Sequence, residues 1–244
     1  MIDVHEFHRI SESTHRIMNP VTLERLMLVG EICGLSAESH VLDLACGKGE
    51  MLCQFAARLG VTGVGVDVYA PVIADARARA VELGVADRVE FVEGDAAQPL
   101  SLGHFDVVSC LGASWIGGGL AGTLQIMRRH ADAQAWLLVG EVYWERPPST
   151  ELAARYGQEF ADLAGTLVVF EDGDLDLVEM VLTNKDEWDR YEASQWLNVA
   201  HWLDANADHP DAAAIRVERD ESRRRYLTDE RGTVGWGVFV LRAK

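Results

Sequence analysis

The chain has 244 residues, with 39 Asp and Glu against 22 Lys and Arg, for a formal charge of −17. That length fits one large α/β domain with a sizeable core, and 48% hydrophobic with 25% charged residues excludes a disordered chain. The acid surplus argues against nucleic acid and anionic membranes as partners, because both need clustered Lys and Arg; oligomeric state is left open.

From the start, residues 3–35 read as two helices separated at Asn19-Pro20. No strand precedes them, so they are expected to form an N-terminal cap or lid over 1–35, with the main domain at 36–244. Strands are predicted at Val41–Leu44, Thr62–Asp67, Val89–Glu93, Phe105–Cys110, Ala135–Glu141, Leu175–Thr183 and Trp236–Arg242. Helical periodicity falls between them at Glu50–Leu59, Pro71–Leu83 and Leu120–His130. Later helices are expected near Ser149–Leu163, Lys185–Leu203 and Asp211–Arg225. This alternation predicts a seven-stranded Rossmann-like sheet, parallel with an antiparallel last strand and flanked by helices. The opening MIDVHEFHRI lacks an apolar signal segment, no run of about 18 apolar residues occurs, and the four cysteines form no C-x-x-C pair. A reduced, cytoplasmic setting is therefore expected. His5 and His8 lack a third ligand, so no metal site is predicted.

The densest information is VLDLACGKGE at 41–50. A buried strand ends at Asp43-Leu44 and turns through Ala45, Cys46, Gly47, Lys48 and Gly49 into a helix. Small residues there let a ligand lie against the backbone without meeting a Cβ. Asp67 ends the next strand about 20 residues on, where a carboxylate accepts from both hydroxyls of a ribose. Asp95 follows the third strand, placed to accept from an adenine amino group. The dinucleotide pattern fails, since it needs a glycine where the chain has Leu52, and Glu50 would repel a pyrophosphate.

Asp43-x-Ala45-x-Gly47-x-Gly49, then Asp67, then Gly94-Asp95-Ala96 resembles the class I S-adenosylmethionine-dependent methyltransferases from about residue 35 to 142. HRIMNP (15–20), GASWIGGG (112–119), GEVYW (140–144), WDRYEASQW (188–196) and GWGVFVL (235–241) are similar to a bacterial UbiE-like subfamily of small-molecule methyltransferases with unassigned substrates. The resemblance implies S-adenosyl-L-methionine as cofactor, S-adenosyl-L-homocysteine as product, and methyl transfer to a small molecule. By the same resemblance Asp43 and Gly49 belong to the cofactor turn, and Ala45, Cys46 and Gly47 face the methionine part. Asp67 and Val68 lie at the ribose, Asp95 and Ala96 at the adenine, and Cys110 and Leu111 on the far wall. Ala45 departs from the family glycine and fits only if its φ is negative.

The acceptor is expected beyond the fourth and fifth strands. Trp115, Tyr143, Trp144, Tyr191 and Trp196 are its candidate walls, and Trp188, Arg190 and Glu192 are expected to be delivered by the sixth strand. All seven tryptophans lie at position 115 or later, five of them in 143–244; the elements at about 143–244 are read as the acceptor side and those at about 36–142 as the cofactor half. If the acceptor must lose a proton, His15, Glu141 and Tyr191 are candidate bases. Cys110 follows Ser109 and not proline, and no N/D-P-P-Y/F motif occurs, which excludes the base-methylating subtypes. Nine acids against two bases between Glu171 and Glu192 suggest either a field favouring neutral or cationic acceptors or a solvated surface. The alternatives are a same-fold enzyme using the cofactor otherwise, or a non-catalytic sensor.

Overall fold

A computed structural model of the chain describes residues 4–156 and 160–244. Its strands are β1 (His40–Leu44), β2 (Thr62–Asp67), β3 (Val89–Glu93), β4 (Phe105–Leu111), β5 (Ala131–Trp144), β6 (Leu175–Leu182) and β7 (Val234–Ala243). They form one sheet in the order β3-β2-β1-β4-β5-β7-β6. Pairing is parallel from β3 to β5, and β7 runs antiparallel between β5 and β6. This is the Rossmann-like sheet the sequence predicts. The order reverses between β1 and β4, which opens a crevice at their carboxyl ends.

Continuous apolar runs suit the central strands because both faces are covered: Val41, Leu42 and Leu44 have no exposed surface. One core layer lies under α2 (Leu23–Ile32), α3 (Glu50–Leu59) and α4 (Ala70–Glu82). The other lies under α5 (Leu120–Arg129) and α7 (Leu163–Asp172). α2 therefore belongs to the main core, with Leu26 and Val29 at 1% and 0% exposure. Of the expected 1–35 cap, only α1 (Val4–Ser11) and the connection to α2 stand apart. Ile10 of α1 packs on Val199 and Leu203 of α8 (Lys185–Ala205) and on Ile215 of α9 (Ala212–Arg225).

The expected helix at 149–163 crosses residues outside those described. Its described part is α6 (Thr150–Tyr156), and a separate α7 begins at Leu163, where the Asp162 carboxylate takes the Gly165 N–H at 2.8 Å. β5 extends beyond its expected span at both ends: Ala131 pairs with Phe105 of β4 at the near end, and β7 pairs it from Leu137 to Trp144 at the far end. α8 starts with a capping box between Asn184 and Glu187. Trp188, Arg190, Tyr191 and Glu192 therefore sit on the first turns of α8 and not on β6. After α9, one widened turn at Tyr226–Glu230 carries the i→i+5 bond Arg231 N–H to Tyr226 C=O, 2.9 Å, before β7 begins. Among the described residues no helix is long and apolar enough to cross a membrane, and no group of three metal-ligating side chains occurs.

Candidate functional site

The turn after β1 is built by positive φ angles at Ala45 (56°), Gly47 (52°) and Gly49 (67°). The expectation of a negative φ at Ala45 is corrected: the alanine occupies the left-handed region at a cost of about 1–2 kcal/mol. The Cys46 N–H donating to Val66 C=O at 3.0 Å holds the neighbouring residue to β2 and imposes that conformation. Gly49 is required for space as well, since a Cβ there would lie 2.5 Å from the Phe91 ring. Glu50 is not an exposed charge at the start of α3. It is buried and ion-paired to Arg79 at 2.6 Å, with Gln54 donating to it at 2.7 Å, so it repels nothing at the turn.

Asp67 closes this rim from β2. Its Oδ2 accepts the Gly47 N–H and its Oδ1 the Tyr69 N–H, each at 2.9 Å. One lone-pair site remains on each oxygen. Val68 beside it is exposed. Asp43 lies beneath the turn, accepting from Ser109 Oγ at 2.7 Å, and burial pushes its carboxyl up to about 7. Asp95 is exposed and caps its own turn through the Ala97 N–H at 2.9 Å, while Ala96 is buried. Cys110 is fully buried, and burial pushes its thiol up, which fits a packing thiol. Leu111 is half-buried at the end of β4. The structure thus brings Asp43, Ala45, Cys46, Gly47, Gly49, Asp67, Asp95 and Leu111 to one edge of the sheet.

The connection between α1 and α2 covers this edge. Asn19 Nδ2 donates to Leu111 C=O at 3.2 Å, and its Oδ1 sits where a Cβ on Gly112 would be. Met18 Sδ lies 3.1 Å from the Cβ position of Gly47. Lys48, from the turn itself, ties the cover down by donating to the Glu12 and His15 carbonyls at 2.7 and 2.9 Å. Sequence reasoning did not single out Lys48, Met18 or Asn19 for this, although Asn19-Pro20 marked the break.

His15 Nε2 lies 2.9 Å from Ser194 Oγ and 3.3 Å from Tyr191 C=O. Its Nδ1 is buried with no hydrogen-bond partner, and burial lowers its pKa. Tyr191 donates its hydroxyl to Glu12 Oε1 at 2.7 Å, and burial raises its pKa well above the usual phenol value. It is a held donor, unsuited to act as a base. Glu141 is buried at the carboxyl end of β5, with Oε1 accepting the Val142 N–H at 2.9 Å. Between the cover and the start of α8 runs a groove of about 420 Å³, lined by His15, Asn19, Arg190, Tyr191 and Ser194 among others. A larger cleft of about 510 Å³ opens at the opposite edge, beside His40 and Arg88, away from the turn and its acids.

The tryptophans do not form one pocket. Trp236 is core, Trp136 donates to Cys33 C=O and lies under Arg242, Trp202 packs edge-on to His209, and Trp115 is 66% exposed. Tyr143 turns to the face covered by α5 and α7, buried across Gly235. Trp196 meets Tyr226 of the widened turn, Trp188 lies on the first turns of α8, and Trp144 packs edge-on to Tyr156. The acidic segment from Glu171 is mainly solvated surface; Glu187 pairs with Arg25 and Asp189 with Arg231.

Residues 41–133 match the family model described as a methyltransferase domain. The chain is 41% identical over its full length to the uncharacterized protein YjhP of Escherichia coli strain K12, of which it covers 100%. It superposes with a TM-score of 0.94 on a SAM-dependent methyltransferase from Geobacter sulfurreducens crystallised with S-adenosyl-L-homocysteine, at 41% identity and covering 100% of both chains. Over 41% of this chain and 56% of the relative it is 33% identical to a ubiquinone/menaquinone biosynthesis C-methyltransferase UbiE from Ectopseudomonas oleovorans.

Proposed function

Because the chain belongs to the S-adenosylmethionine-dependent methyltransferase family, we propose that it methylates a small-molecule acceptor admitted between the cover and α8, by in-line displacement. When bound, the cofactor supplies a methyl group already activated on a sulfonium, so an acceptor lone pair bonds to that carbon as the C–S pair returns to sulfur. The residues fit such a group: the turn at Gly47 and Gly49 leaves a rim free of Cβ atoms, and Asp67 keeps one lone pair on each oxygen. Asp67 would hold the ribose. Asp95 with the backbone of Ala96 would read the adenine, and Ala45, Cys46 and Gly47 would border the methionine part beside Leu111.

The observation that carries a small acceptor is the closed cover. Asn19 on Gly112 and Lys48 on the Glu12 and His15 carbonyls hold the cover down beside the groove at α8, which a macromolecular strand would not enter without lifting the cover. Excluding water there and holding the acceptor in line supply most of the acceleration such a displacement needs. Where the acceptor must lose a proton, His15 is the base this reading favours, since burial keeps its imidazole neutral. Incubation with methyl-labelled cofactor and separate pools of metabolites, protein and nucleic acid tests this: label should enter the metabolite pool. Label confined to macromolecules, or no transfer from a cofactor that binds, refutes it.

A further inference from the structure

The cover is joined to α8 by a seam of polar pairs. Thr14 Oγ1 donates to Asn198 Oδ1 at 2.9 Å, Asn198 Nδ2 donates to the Ser11 carbonyl at 2.7 Å, and the Tyr191 hydroxyl donates to Glu12 Oε1 at 2.7 Å. His15 brings an imidazole into the same seam, and its hydrogen bonds fix its tautomer. Nε2 lies 3.3 Å from the Tyr191 carbonyl, which can only accept. It also lies 2.9 Å from Ser194 Oγ, whose own proton goes to that carbonyl at 2.9 Å. The ring proton is therefore on Nε2, and Nδ1 presents a bare lone pair. Nδ1 is closed off from solvent and has no partner. A buried lone pair without a donor is tolerated, whereas a buried N–H without an acceptor is far rarer. A second proton can enter this ring only at Nδ1, so protonation converts the tolerated case into the costly one.

The groups facing His15 do not make that proton welcome. Glu12, from the cap, receives the Tyr191 hydroxyl, and Tyr191 itself packs edge-on to the imidazole at 4.9 Å. Lys48, from the cofactor turn, sets its ammonium on the His15 carbonyl at 2.9 Å. Along the groove Glu187 pairs with Arg25 at 2.7 Å, while Asp186 and Arg190 stand on its wall. Burial opposes the imidazolium most and Lys48 adds to it; the Tyr191 carbonyl and Glu12 favour it without reversing the balance, so the pKa is lowered. Two buried carboxyls respond in the opposite sense. Burial raises Asp43 beneath the turn and Glu192 on α8 to about 7, so acid relieves them and tightens the fold around them.

We propose that His15 is a proton-operated latch: neutral, it holds the cover on α8, and a proton on Nδ1 releases the cover and opens the groove. The latch does not depend on what the acceptor is. One consequence does rest on the methyl-transfer reading: where His15 takes the acceptor's proton, the same charge reaches Nδ1 with product in place, so the transfer itself loosens the cover and lets product leave. With the cover open, the imidazole titrates near its usual value of about 6.5. With the cover closed it titrates lower. Closure is therefore at full strength above about 6.5 and weakens as pH falls from there toward the closed value. At about pH 5.5, a closed cover that excludes the proton opens up to about tenfold more often than at about pH 8.

The test is amide hydrogen exchange of the full chain at about pH 8 and about pH 5.5, expressed as protection against the unfolded-chain rate at each pH. Protection at 12–20 should fall several-fold, and by no more than about tenfold, while β1 and β4 keep theirs. An NMR titration of the imidazoles should show His15 taking up its proton over the same range. His15→Gln retains a donor toward Ser194 and cannot titrate, so its cover should be equally protected at both pH values; binding of S-adenosylhomocysteine shows that the variant is folded. If the variant does not fold, exchange and titration of the parent decide alone. Parent protection at 12–20 that changes by less than about twofold overturns the latch. So does acid loosening that persists in His15→Gln, or a His15 that stays neutral while the cover loosens. Methyl transfer stands or falls separately, on label transfer.

Discussion

Replacing Asp67 by alanine removes the carboxylate that joins β2 to the cofactor turn. In the free protein it accepts two backbone N–H groups, from Gly47 and Tyr69, each at 2.9 Å. A carboxylate offers about four lone-pair sites, so two remain for the two ribose hydroxyls. Hydrogen bonds to a charged acceptor contribute roughly 1.5–3 kcal/mol. The variant should therefore bind S-adenosylhomocysteine at least about 10-fold more weakly, the loss of one such bond at the low end of that range. Asp67 is half-buried, so water reaches the freed N–H groups and the loss of fold stability should be smaller than the loss of affinity. Calorimetry gives the affinity and a urea titration the stability. Affinity within twofold of the parent would place the ribose elsewhere and refute the assignment. A stability loss that accounts for the whole affinity change would make Asp67 a structural tie alone.

Ala45→Gly should relieve the left-handed strain at φ 56° and raise stability by about 0.5–1 kcal/mol after the extra entropy of the unfolded glycine is deducted, read as a higher urea midpoint; a lower midpoint contradicts it. Arg79→Ala strands the buried Glu50 carboxylate, and unfolding free energy should drop by about 3–5 kcal/mol; a loss below about 1 kcal/mol would show that Gln54 suffices. Burial raises the Glu192 carboxyl from its usual 4.5 to about 7, so the folded state holds a proton that the unfolded chain releases. Its penalty is absent below the unfolded value, grows as pH rises toward the folded one, and is full above it. Glu192→Gln should thus melt higher than the parent at about pH 8 and alike at about pH 4, in the absence of ligand. The same difference at both pH values would refute the raised carboxyl. Lys48→Met removes both ties to the cover, so amide hydrogen exchange at 12–20 should speed up while β1 and β4 stay protected. Unchanged exchange there would show that Asn19 alone holds the cover.

Most of the sheet was legible because its strands are buried on both faces and punctuated by glycine turns. β2 and β3 fall where the apolar runs predict, at Thr62–Asp67 and Val89–Glu93. β5 was placed short at both ends because its outer residues, such as Asp132 and Gln134, are polar, and antiparallel pairing with β7 extends its far end to Trp144. α7 was missed because its apolar LAGTLVVF stretch has a helical moment too weak to stand out, and its start is fixed by Asp162. The cofactor turn was legible since its chemistry is local: small residues, then an acid at each following strand end.

The charge of −17 and the clustering of tryptophans set an expectation about the acceptor that sequence alone could not resolve. Spacing along one chain fixes which acids end adjacent strands, because a parallel sheet aligns those ends by rule. It says nothing about residues brought together by packing. Glu12 and Tyr191, like Glu230 and Tyr156, lie far apart in the sequence and meet only because α1 docks on α8 and the widened turn precedes β7. Conversely, the acidic segment that looked directed at the acceptor is mostly solvated or ion-paired, and Trp136, Trp202 and Trp236 fill gaps elsewhere. The proposed nucleotide half of the site is a property of strand order and turn chemistry, which the sequence determines. The proposed acceptor half is a property of helix docking across long separations, which only the tertiary structure decides.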